Sequence, residues 1–221
     1  MLARQPHFQV LAKSFRLVAV CLVFFGMFAL NQGIAKADKI TFEQDPLGFL
    51  PNGAHSVESN LVTFSASGAG GLVISPEVGS NEFIGTRGLA VQGTPFVHLI
   101  MNFAVPVNSL SLFFGNDDPL DTAPGDTAIL RVFRNGSLVG QTTVTMNRND
   151  IIDQQISFAG VPFDSADFHF SQEFFLTETV DNIEFTPVPE PASIGLLALG
   201  LIGVAVRKRG RCFKREPSTN K

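Results

Sequence analysis

The 221-residue chain carries 16 basic and 20 acidic residues, for a formal charge of −4. That small figure conceals a partition: from Asp38 to Val188 there are eighteen Asp and Glu against five Lys and Arg, a net of −13, and most basic residues lie in the two ends. So acidic a middle excludes a nucleic-acid partner, and because Cys21 and Cys212 both fall outside it, it also excludes a disulfide framework and a thiolate zinc site there.

The N-terminal end reads as a secretory signal peptide over residues 1–37. Arg4, Lys13 and Arg16 precede fourteen uncharged residues, Leu17 to Leu30, and the small residues Ala35 and Ala37 set up cleavage before Asp38 by signal peptidase. Fourteen residues are short for a retained membrane span.

Residues 38–186 read as one all-β domain. Short runs rich in Phe, Val, Ile and Thr alternate with Gly, Pro, Asn, Asp and Ser, and no long stretch keeps a helical period. In chain order the predicted strands are Ile40–Phe42, Leu61–Ser65, Leu72–Ile74, Val97–Phe103, Ser109–Phe114, Ala128–Phe133, Leu138–Thr145, Gln154–Phe158, Asp167–Phe170 and Thr179–Phe185. Many short strands without helices between them predict an antiparallel β-sandwich of the jelly-roll kind.

The clearest turn is Asn135-Gly136, because both central positions of a type I′ hairpin need positive φ and these two residues tolerate it. In "DFHFS", Phe168 and Phe170 share one face and Asp167, His169 and Ser171 the other, which predicts a core face and a wet face. Sixteen of the 22 Phe lie in this region and the chain has neither Trp nor Tyr, so any polysaccharide would be held by hydrogen bonds rather than on a stacked aromatic platform.

Chemistry is sparse. His55, His98 and His169 are scattered without ligand spacing and read as ordinary loop or strand residues. No Gly-x-Ser-x-Gly elbow, phosphate loop or His-Glu-x-x-His is present, so the expectation is a non-catalytic domain, with a secreted glycan-active enzyme as the competing reading. Structural calcium is the candidate cofactor. Its expected ligands are Glu43, after the first strand, with Glu178 and Asp181 near the last, since first and last strands are often neighbours in a jelly roll. The acidic loop with Asn116, Asp117, Asp118, Asp121 and Asp126 is a second candidate, although turn chemistry alone favours the same residues.

The C-terminal end begins with Val188-Pro189-Glu190-Pro191, followed by fifteen uncharged residues, Ala192 to Val206, and the basic cluster Arg207, Lys208, Arg209 and Arg211. Fifteen residues at 1.5 Å each span roughly 22 Å, short of a hydrocarbon core of about 30 Å, while the glycines and all-round apolar surface do not suit a soluble helix. The basic cluster keeps the tail, residues 212–221, in the cytoplasm, with membrane lipid around the apolar segment and the sandwich outside. The prolines on either side of Glu190 hold an extended, accessible peptide.

This order of parts over residues 187–211 closely resembles the PEP-CTERM sorting domain of Gram-negative bacteria. The resemblance implies processing by exosortase near Pro189-Glu190-Pro191, then delivery to the cell surface or to an extracellular matrix associated with polysaccharide and biofilm. A permanently anchored single-pass membrane protein with a glycan-binding domain is the alternative, since ten residues, Cys212 to Lys221, continue past the basic cluster.

Overall fold

The computed structural model describes residues 36–76, 87–93, 97–115, 122–149, 151–171, 178–188 and 200. The strands all lie in one compact unit, Ala35–Val188. They are β1 Asp38–Ile40, β2 Gly48–Leu50, β3 Ala54–Ser56, β4 Ser59–Ala66, β5 Gly71–Ser75, β6 Gly88–Gln92, β7 Leu99–Gly115, β8 Thr127–Arg134, β9 Ser137–Thr145, β10 Gln154–Phe170 and β11 Glu178–Pro187. All their pairings are antiparallel, so the all-β sandwich expected from the sequence is the fold observed.

Two long strands run through both layers. The second half of β7 pairs with β11 and with the first half of β10, while its first half pairs with β4 and with the second half of β10. One layer therefore reads β2-β5-β6-β11-β7-β10, with β1 also on β11, and the other reads β3-β4-β7-β10-β8-β9.

The sequence of β7 explains how one strand serves both layers. Leu99, Met101 and Phe103 are buried in its first half, but Leu110, Leu112 and Phe114 in its second, so the inward face moves from odd to even positions. The change falls between Val107, which is still buried, and Leu110, just after Pro106, which has no N–H for the ladder. On β10 the matching irregularity falls between Ala159 and Phe163, where Gly160 adopts a φ of 144° and Pro162 follows. Each therefore reads in the sequence as two strands, Val97–Phe103 with Ser109–Phe114 and Gln154–Phe158 with Asp167–Phe170.

Phe side chains join the layers. Phe103 on β7 meets Phe185 on β11 at 5.1 Å between ring centroids, and Phe42 meets Phe64 on β4 at 5.6 Å. Phe42 was expected inside the first strand, yet it follows β1 with a left-handed φ of 58°. That turn sends its ring into the core, where it is fully buried. Such burial contributes about 1.5–3 kcal/mol for each large apolar side chain, enough to offset a strained backbone residue. The β8–β9 hairpin is the expected one: Asn135 and Gly136 have φ of 50° and 76°, and Arg134 pairs with Ser137 across them.

Candidate functional site

β1 runs antiparallel to β11, with Asp38 opposite Phe185 and Ile40 opposite Ile183. First and last strands are neighbours, as expected of a jelly roll. Ala37 and Asp38, which flank the expected cleavage point, therefore lie beside the end of β11, where Val188 leaves the sheet with its N–H donating to the Pro106 carbonyl at 2.8 Å. Ala35, Pro189, Glu190, Pro191, Arg207, Lys208, Arg209 and Arg211, with the signal peptide and the apolar segment, lie outside the described residues. Among the described residues no helix is long and apolar enough to cross a membrane.

Beside Asp38 lies an open hollow of about 600 Å³ bordered by Lys36, Val57, Glu58 and Leu61 among others. Its carboxylates are engaged in holding the chain. Asp38 accepts from the Ser59 hydroxyl, and Glu58 accepts from the Thr41 N–H at 2.6 Å and the Gln44 N–H at 3.1 Å.

The expected calcium ligands are not gathered into one cluster of three ligand atoms. On β11 the partner changes from β6, paired through Glu178–Val180, to β1, paired through Ile183–Phe185, and Asn182 marks the seam with a left-handed φ of 48°. Asp181 is fully buried at that seam and accepts from the Asn182 backbone and side chain. Glu43 accepts from the Arg87 N–H just before β6. Glu178 accepts from the Phe170 N–H at 2.9 Å at the end of β10. Of the acidic loop, Asp126 caps its own turn by accepting from the Ala123 N–H, and residues 116–121 lie outside the described residues.

The grouping that does form was not visible in the sequence. His98, Asp167 and His169 bring their ligand atoms within 4.8 Å of one another. On β10, Phe168 pairs with Leu99 of β7, so one step further His169 stands across from His98. Their rings stack at 4.1 Å with 10° between planes. Each Nδ1 lies 3.0 Å from Asp167 Oδ1, and Arg131 from β8 donates Nη2 to Asp167 Oδ2 at 2.5 Å.

Two of the three residues on the face expected to be wet are therefore covered, Asp167 and His169 each being only 7% exposed, while Ser171 is exposed. Burial raises the Asp167 pKa, but hydrogen bonds from His169 and His98 and then their positive charge outweigh it, and the carboxyl is lowered from 3.8 to about 2. His55, by contrast, is the ordinary strand residue expected, with Nδ1 at 2.8 Å from the Val62 carbonyl.

A family profile described as a PEP-CTERM protein-sorting motif matches residues 187–209, so the chain carries that motif. No curated protein matches the chain. Among solved structures it is similar to an arabinose-bound MgGH51 α-L-arabinofuranosidase, with 12% identity and a TM-score of 0.47 over 71% of this chain and 27% of that one. It is also similar to the CBM22-1 xylan-binding domain of Paenibacillus barcinonensis Xyn10C, with 11% identity and a TM-score of 0.40 over 70% of this chain and 96% of that one. A third is CsCBM6-3 from Clostridium stercorarium in complex with cellobiose, with 15% identity and a TM-score of 0.34 over 56% of this chain and 87% of that one.

Proposed function

We propose that this is an exported, non-catalytic β-sandwich protein of the cell surface or extracellular matrix, sorted and processed by exosortase. The observation that carries the reading is the PEP-CTERM motif at residues 187–209, which begins on the last residue of β11. Signal peptidase removes residues 1–37 in front of Asp38. Membrane lipid then holds the segment Ala192 to Val206, with Arg207, Lys208, Arg209 and Arg211 on the cytoplasmic side. That arrangement presents the extended peptide Val188-Pro189-Glu190-Pro191 just outside the bilayer, where an enzyme embedded in the membrane reaches it.

The acidic, cysteine-free sandwich suits an exterior location, since its net charge of −13 over residues 38–188 keeps it soluble and no thiol is exposed to oxidation. Its role there is binding or structure within a polysaccharide or biofilm matrix.

The test is expression of the full chain in a Gram-negative host with and without exosortase, followed by fractionation and intact-mass measurement. The expected product begins at Asp38 and lacks residues 192–221 only where exosortase is present. A mature form that keeps Ala192 to Lys221 in both hosts overturns sorting cleavage and leaves the permanently anchored reading.

A further inference from the structure

We propose that His98, Asp167 and His169 form a site for a divalent transition-metal ion of the zinc, nickel or copper class, with Arg131 as the cation that holds its place in the metal-free protein. Two imidazole nitrogens and one carboxylate are the donor set these borderline metals take, whereas calcium prefers oxygen alone.

Fixed backbone supports the donors. Asp167 and His169 sit in register between β7 and β8, opposite Arg131 and Ile129 on β8. His98, one residue before β7, is held to β4 by reciprocal bonds: its N–H donates to Ser67 Oγ at 2.8 Å, and the Ser67 N–H donates to its carbonyl at 2.9 Å. The donors therefore meet at one place on the outer face of the sheet whatever their side chains do. Those side chains are 19%, 10% and 9% exposed for His98, Asp167 and His169, so an ion reaches them from one side and most bulk water is excluded.

Arg131 is a poor permanent partner for this cluster. Its Nη2 lies 2.5 Å from Asp167 Oδ2 but also 3.3 Å from His98 Nδ1, which itself faces the same carboxylate at 3.0 Å. A proton on His98 Nδ1 satisfies Asp167 and opposes the guanidinium, while a lone pair there does the reverse. Arg131 Nε is buried without a hydrogen-bond partner, so the guanidinium holds Asp167 through Nη2 and not as a two-nitrogen fork. Its side chain is 32% exposed, so it is not sealed in place.

A dication entering the site replaces Arg131 against Asp167 and displaces the protons on both Nδ1 atoms to solvent, taking the freed lone pairs while each ring keeps a proton on Nε2. One ion cannot lie in the plane of both rings while they are stacked at 4.1 Å and 10°. Metal entry therefore fans the two imidazoles apart as Arg131 leaves. The same geometry also fits a metal-free ionic cluster, and the two readings separate on what Arg131 does: its removal strengthens a metal site and merely weakens a structural one.

The experiment titrates the full chain, stripped with chelator, with Zn²⁺ by calorimetry and with Cu²⁺ by electron paramagnetic resonance. One ion per chain is expected, with nitrogen hyperfine coupling for Cu²⁺, and the affinity falls tenfold or more in His98→Gln and in His169→Gln. Arg131→Gln binds more tightly than the parent chain, a gain that no folding defect produces. His55→Gln is unchanged. The proposal is overturned by an absence of binding in both the parent and Arg131→Gln, by affinity that survives His98→Gln and His169→Gln, or by equal loss in His55→Gln.

Discussion

Phe103 and Phe185 meet ring to ring at 5.1 Å, one on the half of β7 that pairs with β4 and the other on β11 in the opposite layer. Phe185 is fully buried, and Phe163 reaches Phe103 from β10 at 5.8 Å. The contact closes the sandwich at the end where the chain departs.

Truncating Phe185 removes that closure. Phe185→Ala is expected to cost about 3–5 kcal/mol through lost transfer energy and the cavity left behind. Urea unfolding followed by far-ultraviolet circular dichroism reads the cost, and a loss below 1 kcal/mol contradicts the packing described.

The Asp167 carboxyl makes stability depend on acid. Its folded pKa of about 2 lies below the ordinary 3.8, so its contribution is complete above about pH 5 and is lost as pH falls through about 2. A shift of that size corresponds to roughly 2 kcal/mol. The stability gap between the parent chain and Asp167→Asn should narrow by about that amount between pH 6 and pH 2. A gap that is constant from pH 7 to pH 2 removes the ionic explanation.

Gly115 closes β7 against the loop that leads into β10. A Cβ there would stand 2.4 Å from the Ile151 carbonyl oxygen, and that neighbour is backbone with no rotamer to yield. Gly115→Ala is expected to destabilise by about 1–3 kcal/mol, read as a lower urea midpoint with an unchanged slope.

Gly136 is constrained by dihedral angle, not by space, since a Cβ meets nothing within 4 Å and φ is 76°. Gly136→Val should cost about 1–2 kcal/mol, while Asn135→Gly at φ 50° should be nearly neutral. Thermal melts of the two variants separate backbone strain from loss of contact.

Much of this architecture was legible locally. Alternating apolar residues marked β4 and β8, and Asn135-Gly136 marked the hairpin, because strand period and turn dihedrals are properties of neighbouring residues. β6 was missed because all of Gly88–Val91 is buried, so its short run lacks alternation. β7 looked like two strands because Pro106 breaks the ladder pattern, although the antiparallel pairing to β10 carries through.

The candidate site was the least legible part. His98 and His169 come together only because β7 and β10 pair in one register, and a slip of one residue would send His169 to the core face. No local spacing encodes that. The alternation in "DFHFS" separates the two faces, but the cover over Asp167 comes from Arg131 on β8 and from His98 just before β7. Conversely, the sorting segment was fully legible, since its parts are contiguous in the chain.

The position of β11 has a mechanical meaning. It lies between β7 on one side and β6 and β1 on the other, and the chain runs on from its end into the PEP-CTERM motif. Tension drawn through Val188 is therefore directed along an interior strand, loading its flanking ladders in shear. An edge strand such as β9 would unzip one bond at a time under the same pull. On the proposed attachment through the C-terminal end, the pull therefore falls on a strand that is paired along both sides.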